Sequence, residues 1–180
     1  MKENKIKKEY EINPITVAII AEKVDGNYIS QVIESNGAIN YVKQSPISLI
    51  DFACQYFGST LQGRQESARK ILNAKHKVPI SINPLCGMYF FPTVSPQHPF
   101  CSWISHSYVN CVHEAPENRT EFIFKNGSSI TLDVSYGSMV NQLQRTAQFR
   151  YLLEERIHFK KKSIRYYRKD DDDHYHHICT

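Results

Sequence analysis

Residues 45–77 read SPISLIDFACQYFGSTLQGRQESARKILNAKHK and predict two helices joined at a single glycine. Ser45 can cap the first helix through its side-chain oxygen, and Pro46 suits the first helical turn. Gly58 is suited to the position after the helix, because the left-handed backbone found there costs glycine no steric strain. The apolar residues of this helix fall on one stripe at helical spacing, namely Leu49, Ile50, Ala53, Tyr56 and Phe57.

The second helix is predicted to begin at once, and it is basic. Ser59 with Gln62 three residues later forms a capping-box pattern. The residues expected to be buried are Leu61, Ala68, Ile71 and Leu72. Residues 64–77 hold five cations against one acid, Glu66, and this is the main cationic concentration in the first two-thirds of the chain. The cations are Arg64, Arg69, Lys70, Lys75 and Lys77, with His76 between the last two.

Short strands are predicted on both sides of this helix pair. They cover residues 15–21, 28–34, 38–42, 80–82, 87–91, 103–112, 121–124 and 129–134. Asn-Gly at 36–37 and again at 126–127 indicates two hairpins. A long helix is expected over about 137–159. The predicted fold class is therefore α+β, with antiparallel strands and hairpins, two central helices and a long C-terminal helix.

Successive residues of an α-helix are rotated by about 100° about its axis, and this rotation divides the long helix into two sides of different composition. One side contains Asn141, Arg145 and Arg156, with Phe149 and Leu152 between the two arginines. Arg145 and Arg156 are well placed to reach a partner. An equally weighted alternative is a solvated face on which Glu154 and Glu155 pair with them. The other side is apolar and contains Met139, Val140, Leu143, Ala147, Leu153 and Ile157, with Arg150 among them in a structural role, paired with a carboxylate or carbonyls.

Length and charge favour one domain with charged ends. The 180 residues predict a flexible lead-in at 1–13, a single α+β domain at 14–160 and a charged flexible tail at 161–180. Four of the 18 acidic residues are the aspartates at 170–173, so residues 1–169 carry 22 cations against 14 anions. Such an excess suits a polyanionic partner. No apolar run is long enough to predict a membrane span, and the charged start does not resemble a secretory signal.

Metal binding and catalysis receive little support from the residues. Cys101, His106, Cys111 and His113 lie within thirteen residues, but their spacing does not form the paired turns of structural zinc sites. Cys101 with His106 as a nucleophile pair is a minor alternative, since no motif surrounds it. We therefore expect no metal, no cofactor and no enzyme activity. The five cysteines, an odd number without a CxxC, are expected to be reduced thiols in a cytoplasmic protein.

Nucleic-acid binding has better physical support. Cations that neutralise phosphates release counterions, which supplies most sequence-independent affinity. Residues 160–169 add six more cations and two tyrosines to those of the helices. A helix-turn-helix at residues 45–75 is a weaker interpretation, because the join at 58–59 is shorter than the usual turn.

Three stretches together resemble one protein family. They are FGSTLQGR at 57–64, FPTVSPQHPFCSWISHSYV at 91–109, and a third that runs through FKNG at 124–127, SYGS at 135–138 and NQLQRTAQFR at 141–150. Their order and spacing resemble the bacterial competence transcription factors of the ComK family over most of residues 10–160. Two features depart from that pattern: QES follows the first stretch where a further glycine is frequent, and the C-terminal region is short and ends in an Asp/His tract.

The resemblance implies a cytoplasmic, nucleoid-associated activator of genes for DNA uptake and transformation. It implies binding to paired AT-rich boxes, largely from the minor groove, by dimers that assemble further and bend the DNA. The implied partners are double-stranded AT-rich DNA, further copies of the chain, a proteolytic adaptor and RNA polymerase. The alternative is an interaction protein of the same family that has lost DNA binding and acts through heteromeric assembly. Carried over by position, the DNA-binding candidates are Arg64, His76, Lys77, Arg145, Arg150 and Arg156, while Arg69 and Lys70 rest on charge alone.

Overall fold

A computed structural model describes the backbone of residues 6–174 and the side chains of residues 6–157. Within it the chain forms three α-helices: α1 (Pro46–Tyr56), α2 (Leu61–Leu72) and α3 (Tyr136–His174). Nine strands accompany them: β1 (Thr16–Val24), β2 (Asn27–Glu34), β3 (Ile39–Val42), β4 (Ile80–Asn83), β5 (Met88–Pro92), β6 (Trp103–Ser105), β7 (Val109–Ala115), β8 (Arg119–Phe124) and β9 (Ser129–Leu132). The predicted α+β fold class is confirmed.

The strands form two antiparallel sheets. Six of them make the larger sheet in the order β3-β2-β1-β6-β5-β4, and the other three make a smaller sheet in the order β7-β8-β9. The strands β1 to β3, which precede the helix pair, form one antiparallel meander, and β4 to β6, which follow it, form a second. The pairing of β1 with β6 joins the two meanders into the larger sheet. The strand β4 therefore lies at one edge, close to the end of α2, and β3 lies at the opposite edge.

Both faces of the larger sheet are covered, which divides the core in two. One face packs against α1, whose Leu49 and Ile50 are fully buried beside Trp103 and Phe90. The other face packs against the smaller sheet and α3, where Phe122 and Met139 are fully buried. Because side chains alternate along a strand, each strand of the larger sheet can contribute to both cores.

A third cluster ties the helices to each other. Ala68 of α2, Tyr89 of β5 and Phe149 of α3 are buried together with Val78. The rings of Tyr89 and Phe149 meet edge to face, with centroids 6.3 Å apart and planes at 81°. This cluster brings the end of α2 against the middle of α3, and so it positions the site described below.

The join between α1 and α2 agrees with the sequence except at one cap. Gly58 has a φ of +73°, as predicted, and the Ser45 side chain accepts from the Ser48 N–H. The predicted Ser59 cap is wrong: Thr60 caps α2 by accepting from the Gly63 N–H at 3.0 Å. Asp51 of α1 accepts from the Leu61 N–H at 3.1 Å, so the first helix satisfies a free donor of the second.

The single strand predicted at 103–112 is wrong. A single turn of 3-10 helix at His106–Tyr108 separates β6 from β7, and the two strands belong to different sheets. Ser107 fixes this crossing, because its hydroxyl donates to the Gly87 carbonyl at 2.6 Å and its own carbonyl accepts from Lys125. Apolar and polar residues alternate on both sides of the turn, because β6 and β7 are both strands. The alternation in the sequence therefore does not show that the strand is interrupted.

The helix α3 is longer than predicted, and its buried face is rotated. It extends past residue 159 to His174. Its most buried residues are Met139, Gln142, Thr146 and Phe149, whereas Ala147 is exposed. The predicted division into lead-in, domain and tail stays a prediction, and residues 1–5 and 175–180 lie outside the described residues. Over residues 6–174, no helix has the length and hydropathy needed to cross a membrane.

Candidate nucleic-acid interface

A cleft of about 750 Å³ opens between the end of α2 and one face of α3. Its first wall is the loop from α2 to β4, and its second wall is a row of polar side chains on α3. None of the lining residues among the described side chains, 6–157, is acidic. The lining residues are Leu72, Asn73, Ala74, Lys75, His76 and Lys77 from the first wall, and Asn141, Gln144, Arg145 and Gln148 from the second.

Two arginines hold the loop through its backbone. Arg69 Nε donates to the Lys75 carbonyl at 3.3 Å, and Arg145 Nη1 donates to the His76 carbonyl at 3.0 Å. Asn73 ends α2 in the left-handed conformation with φ +50°, and Lys77 returns to that conformation at φ +48°. The loop is therefore a shaped segment that α3 itself helps to fix.

The lysines of the loop point their charge at solvent. Lys75 and Lys77 are exposed, and neither ammonium group takes part in an ion pair or side-chain hydrogen bond to another residue whose side chain is described. With Arg145 they place three cations on a cleft where no described lining residue is an opposing carboxylate. A surface of this kind attracts phosphate oxygens.

Three of the eight predicted site residues meet at this cleft: His76, Lys77 and Arg145. The prediction omitted Lys75, although it belongs to the same cationic cluster in the sequence. It placed Asn141 on the same side of α3 as Arg145 without assigning it a role, and it omitted Gln144 and Gln148, which carry no charge and so gave no signal. Sequence reasoning could not have joined the two walls, because Arg145 and the carbonyl it binds are 69 residues apart.

Arg64 lies away from the cleft and serves the helix pair. Its Nη2 donates to the Phe57 carbonyl at 3.2 Å, at the C-terminal end of α1. A cation there complements the partial negative charge of the helix terminus. Its assignment to DNA stays a prediction, but its half-buried side chain is already engaged within the protein.

Arg150 confirms the structural role predicted for it. Its Nε pairs with the Glu154 carboxylate at 2.7 Å, and its Nη1 donates to the Ser107 hydroxyl at 3.3 Å. Its guanidinium carbon lies 5.2 Å from the centroid of the Tyr89 ring. These contacts hold α3 to β5 and to the crossing between the sheets, so its contact with DNA remains a separate, untested prediction.

The remaining candidates, Arg69, Lys70 and Arg156, are not among the residues that line the cleft. Arg69 and Lys70 are exposed in the last turn of α2, where cations also complement the helix dipole. Arg156 is exposed on α3 beyond the row that lines the cleft. Their contact with DNA stays a prediction.

The cysteines and histidines considered for metal or catalysis do not form a site. Burial raises the pKa of the Cys101 thiol to about 11, which disfavours the thiolate that a nucleophile requires. That thiol donates to the Val94 carbonyl in the core between the larger sheet and α1. His106 lies elsewhere, in the 3-10 turn, where it is close to Arg150 of α3. Among residues 6–157, no three His, Cys, Asp or Glu side chains are grouped to hold a metal ion.

His106 is expected to make stability depend on pH. Burial lowers its pKa, the charges of Arg150 and Lys125 lower it further, and its buried Nδ1 has no hydrogen-bond partner among the described residues. The unfolded chain, with a histidine pKa of about 6.5, therefore binds the proton more readily than the folded chain. The free energy of unfolding should fall as the pH falls below about 6.5, until the folded-state pKa is passed.

Urea unfolding at pH 7.5 and pH 5.5 measures this effect. His106→Gln should lose less stability between the two pH values than the unmodified protein, because its side chain cannot take up the proton. His113→Gln, at an exposed position on β7, is the control and should keep the original pH dependence. Equal losses in all three proteins would show that His106 does not couple folding to pH.

The fold and the cleft define a class of protein: a small α+β protein with a shaped cationic cleft, suited to a polyanion. Comparison with known proteins agrees on the family. The family model described as ComK protein matches residues 7–158. A protein of Bacillus subtilis (strain 168) described as "Competence transcription factor" is 36% identical over 148 residues, covering 82% of this chain and 77% of that protein. No solved structure matches. The chain belongs to the ComK family.

Proposed function

We propose that this protein is a competence transcription factor that binds double-stranded, AT-rich promoter DNA and activates genes for DNA uptake. The observation that carries the proposal is the cleft between α2 and α3, which brings Lys75, Lys77 and Arg145 together without an acidic residue. Family membership supplies the biological role, since the Bacillus subtilis relative is described as a competence transcription factor. The geometry supplies the surface on which phosphates would bind.

The groove contacted in this proposal is the minor groove. That groove is about 6 Å wide, and an α-helix with its side chains is about 10–12 Å across, so α3 cannot enter it as a whole. Single side chains of α3 can reach in from its rim, while the lysines of the loop bind the phosphates that border the groove. Opening the groove to admit more of the protein bends the duplex, which accounts for the proposed bending.

The other parts of the proposal follow the family. The active form is a dimer that assembles further on paired boxes in the cytoplasm, at the nucleoid. A proteolytic adaptor limits its level, and RNA polymerase is the machinery it recruits. The absence of DNA binding would instead favour the alternative, a family member that acts through heteromeric assembly.

The proposal is tested by fluorescence anisotropy with three labelled duplexes of equal length. One is rich in A·T pairs, one is rich in G·C pairs, and one replaces each G·C pair of the second by inosine·cytosine. Inosine lacks the 2-amino group, so its pair resembles A·T in the minor groove and G·C in the major groove. We expect tight binding to the first and third duplexes and weaker binding to the second.

Each other outcome has a definite meaning. Binding of the inosine duplex as weakly as the G·C duplex would move the contact to the major groove. Equal binding to all three would leave a sequence-independent DNA-binding protein. Binding to none at low salt would remove the DNA-binding function and leave heteromeric assembly as the remaining candidate.

A further inference from the structure

One wall of the cleft consists of amide side chains rather than cations. Asn141, Gln144 and Gln148 lie on α3 at positions i, i+3 and i+7, within an arc of about 60°. All three are exposed, and none makes a hydrogen bond to another side chain or to the backbone within the described residues. Gln142 differs, because it is buried and its Nε2 donates to the Pro92 carbonyl at 2.6 Å.

The placement of this amide row is set from both sides. Phe149 is buried against Tyr89 and Ala68, which fixes the rotation of α3 next to Gln148. Arg145, in the middle of the row, binds the loop backbone at the His76 carbonyl. The row therefore faces the same cleft as Lys75 and Lys77.

The length of the row matches a short run of base pairs. At a rise of about 1.5 Å per residue, the seven steps from Asn141 to Gln148 span about 10 Å. Base pairs are spaced by about 3.4 Å, so this distance covers about three of them. The lysines on the opposite wall are then placed to bind the phosphates that flank the same pairs.

We infer that Asn141, Gln144 and Gln148 are the residues that discriminate A·T from G·C pairs, while the cations of the cleft supply affinity without sequence preference. This inference rests on the proposed function and adds to it the residues that read sequence. An amide N–H can donate to adenine N3 or thymine O2, the acceptors that A·T pairs present in the minor groove. A guanine places its 2-amino group in the same space, and that group is a donor.

The ordinary interpretation of such a row is a solvated helix surface. It predicts no change in sequence preference when the amides are removed. A structural role predicts a loss of binding to every duplex alike. A reading role predicts a change in the ratio between duplexes, so the two duplexes together separate the three cases.

The experiment compares the A·T-rich and G·C-rich duplexes for the double variant Gln144→Ala/Gln148→Ala. Alanine is the best helix former, so α3 should persist, and circular dichroism checks that it does. We expect the ratio of the two dissociation constants to fall about tenfold or more, mainly through weaker binding to the A·T duplex. The salt dependence should not change, because the amides carry no charge.

The matched control is Gln55→Ala/Gln62→Ala, which removes two glutamines from exposed helix positions outside the cleft. It should keep the ratio of the unmodified protein. An unchanged ratio in the Gln144→Ala/Gln148→Ala variant, or an equal loss on both duplexes, would overturn the inference and leave the proposed function standing. If the unmodified protein binds no duplex, the proposed function fails first and this inference fails with it.

Discussion

Phe149→Ala is expected to lower the free energy of unfolding by about 3–5 kcal/mol. Phe149 is 2% exposed and belongs to the cluster that joins α2, β5 and α3. Its removal costs the transfer free energy of the ring and leaves a cavity that the rigid strand β5 cannot fill. The edge-to-face contact with Tyr89 adds a smaller loss.

Equilibrium unfolding in urea, followed by circular dichroism and tryptophan fluorescence, measures the change. Tyr151→Ala is the control, because Tyr151 lies two residues further on the same helix but is 65% exposed. It should change stability by less than about 0.5 kcal/mol, the usual range for a surface substitution. If the two variants lose similar amounts, Phe149 does not anchor α3 as its burial indicates.

Local signals in the sequence were sufficient for most of the fold. Pro46 and Gly58 marked the ends of α1, because each has a backbone preference that few positions other than a helix end satisfy. Hairpin turns and alternation located the strands around them. Arg150 was assigned a structural role from its place in an apolar stripe, and its contacts with Glu154 and Ser107 confirm that assignment.

The errors have a common physical origin in polar residues that satisfy their hydrogen bonds within the fold. Gln142 and Thr146 are buried because they bond to the Pro92 carbonyl and to the Gln142 carbonyl respectively. A hydropathy pattern does not count such residues as core, and it therefore placed Ala147 on the buried side instead. Phe149 was assigned to the partner-facing side for the same reason.

The cleft depends on contacts that sequence patterns do not report. Arg64 and Arg145 look alike as spaced helix cations, yet Arg64 binds the end of α1 and Arg145 binds the loop before β4. Only the packing of α2 on α3 decides which cation faces which surface. The amide row is likewise visible as a site only once α3 is placed against that loop.

Replacing the two loop lysines should have the largest effect on DNA binding. The variant is Lys75→Ala/Lys77→Asn, in which asparagine suits the left-handed backbone at position 77. Each lost phosphate contact should reduce the slope of log K against log salt by about 0.9. At 0.1 M monovalent salt, counterion release contributes about eightfold to the binding constant for each contact, so affinity should fall by roughly 60-fold when two contacts are lost.

Anisotropy titrations over a range of salt concentrations measure both quantities. Lys8→Ala/Lys43→Ala is the matched control, since it removes the same charge from exposed positions near β3, at the opposite edge of the larger sheet. It should change affinity only weakly, because screening limits the reach of a charge to about 10 Å at this ionic strength. The loop variant should bind A·T and G·C duplexes in the original ratio, because phosphates carry no sequence information. Equal losses in the two variants would mean that net charge, and not contact at the cleft, attracts the DNA.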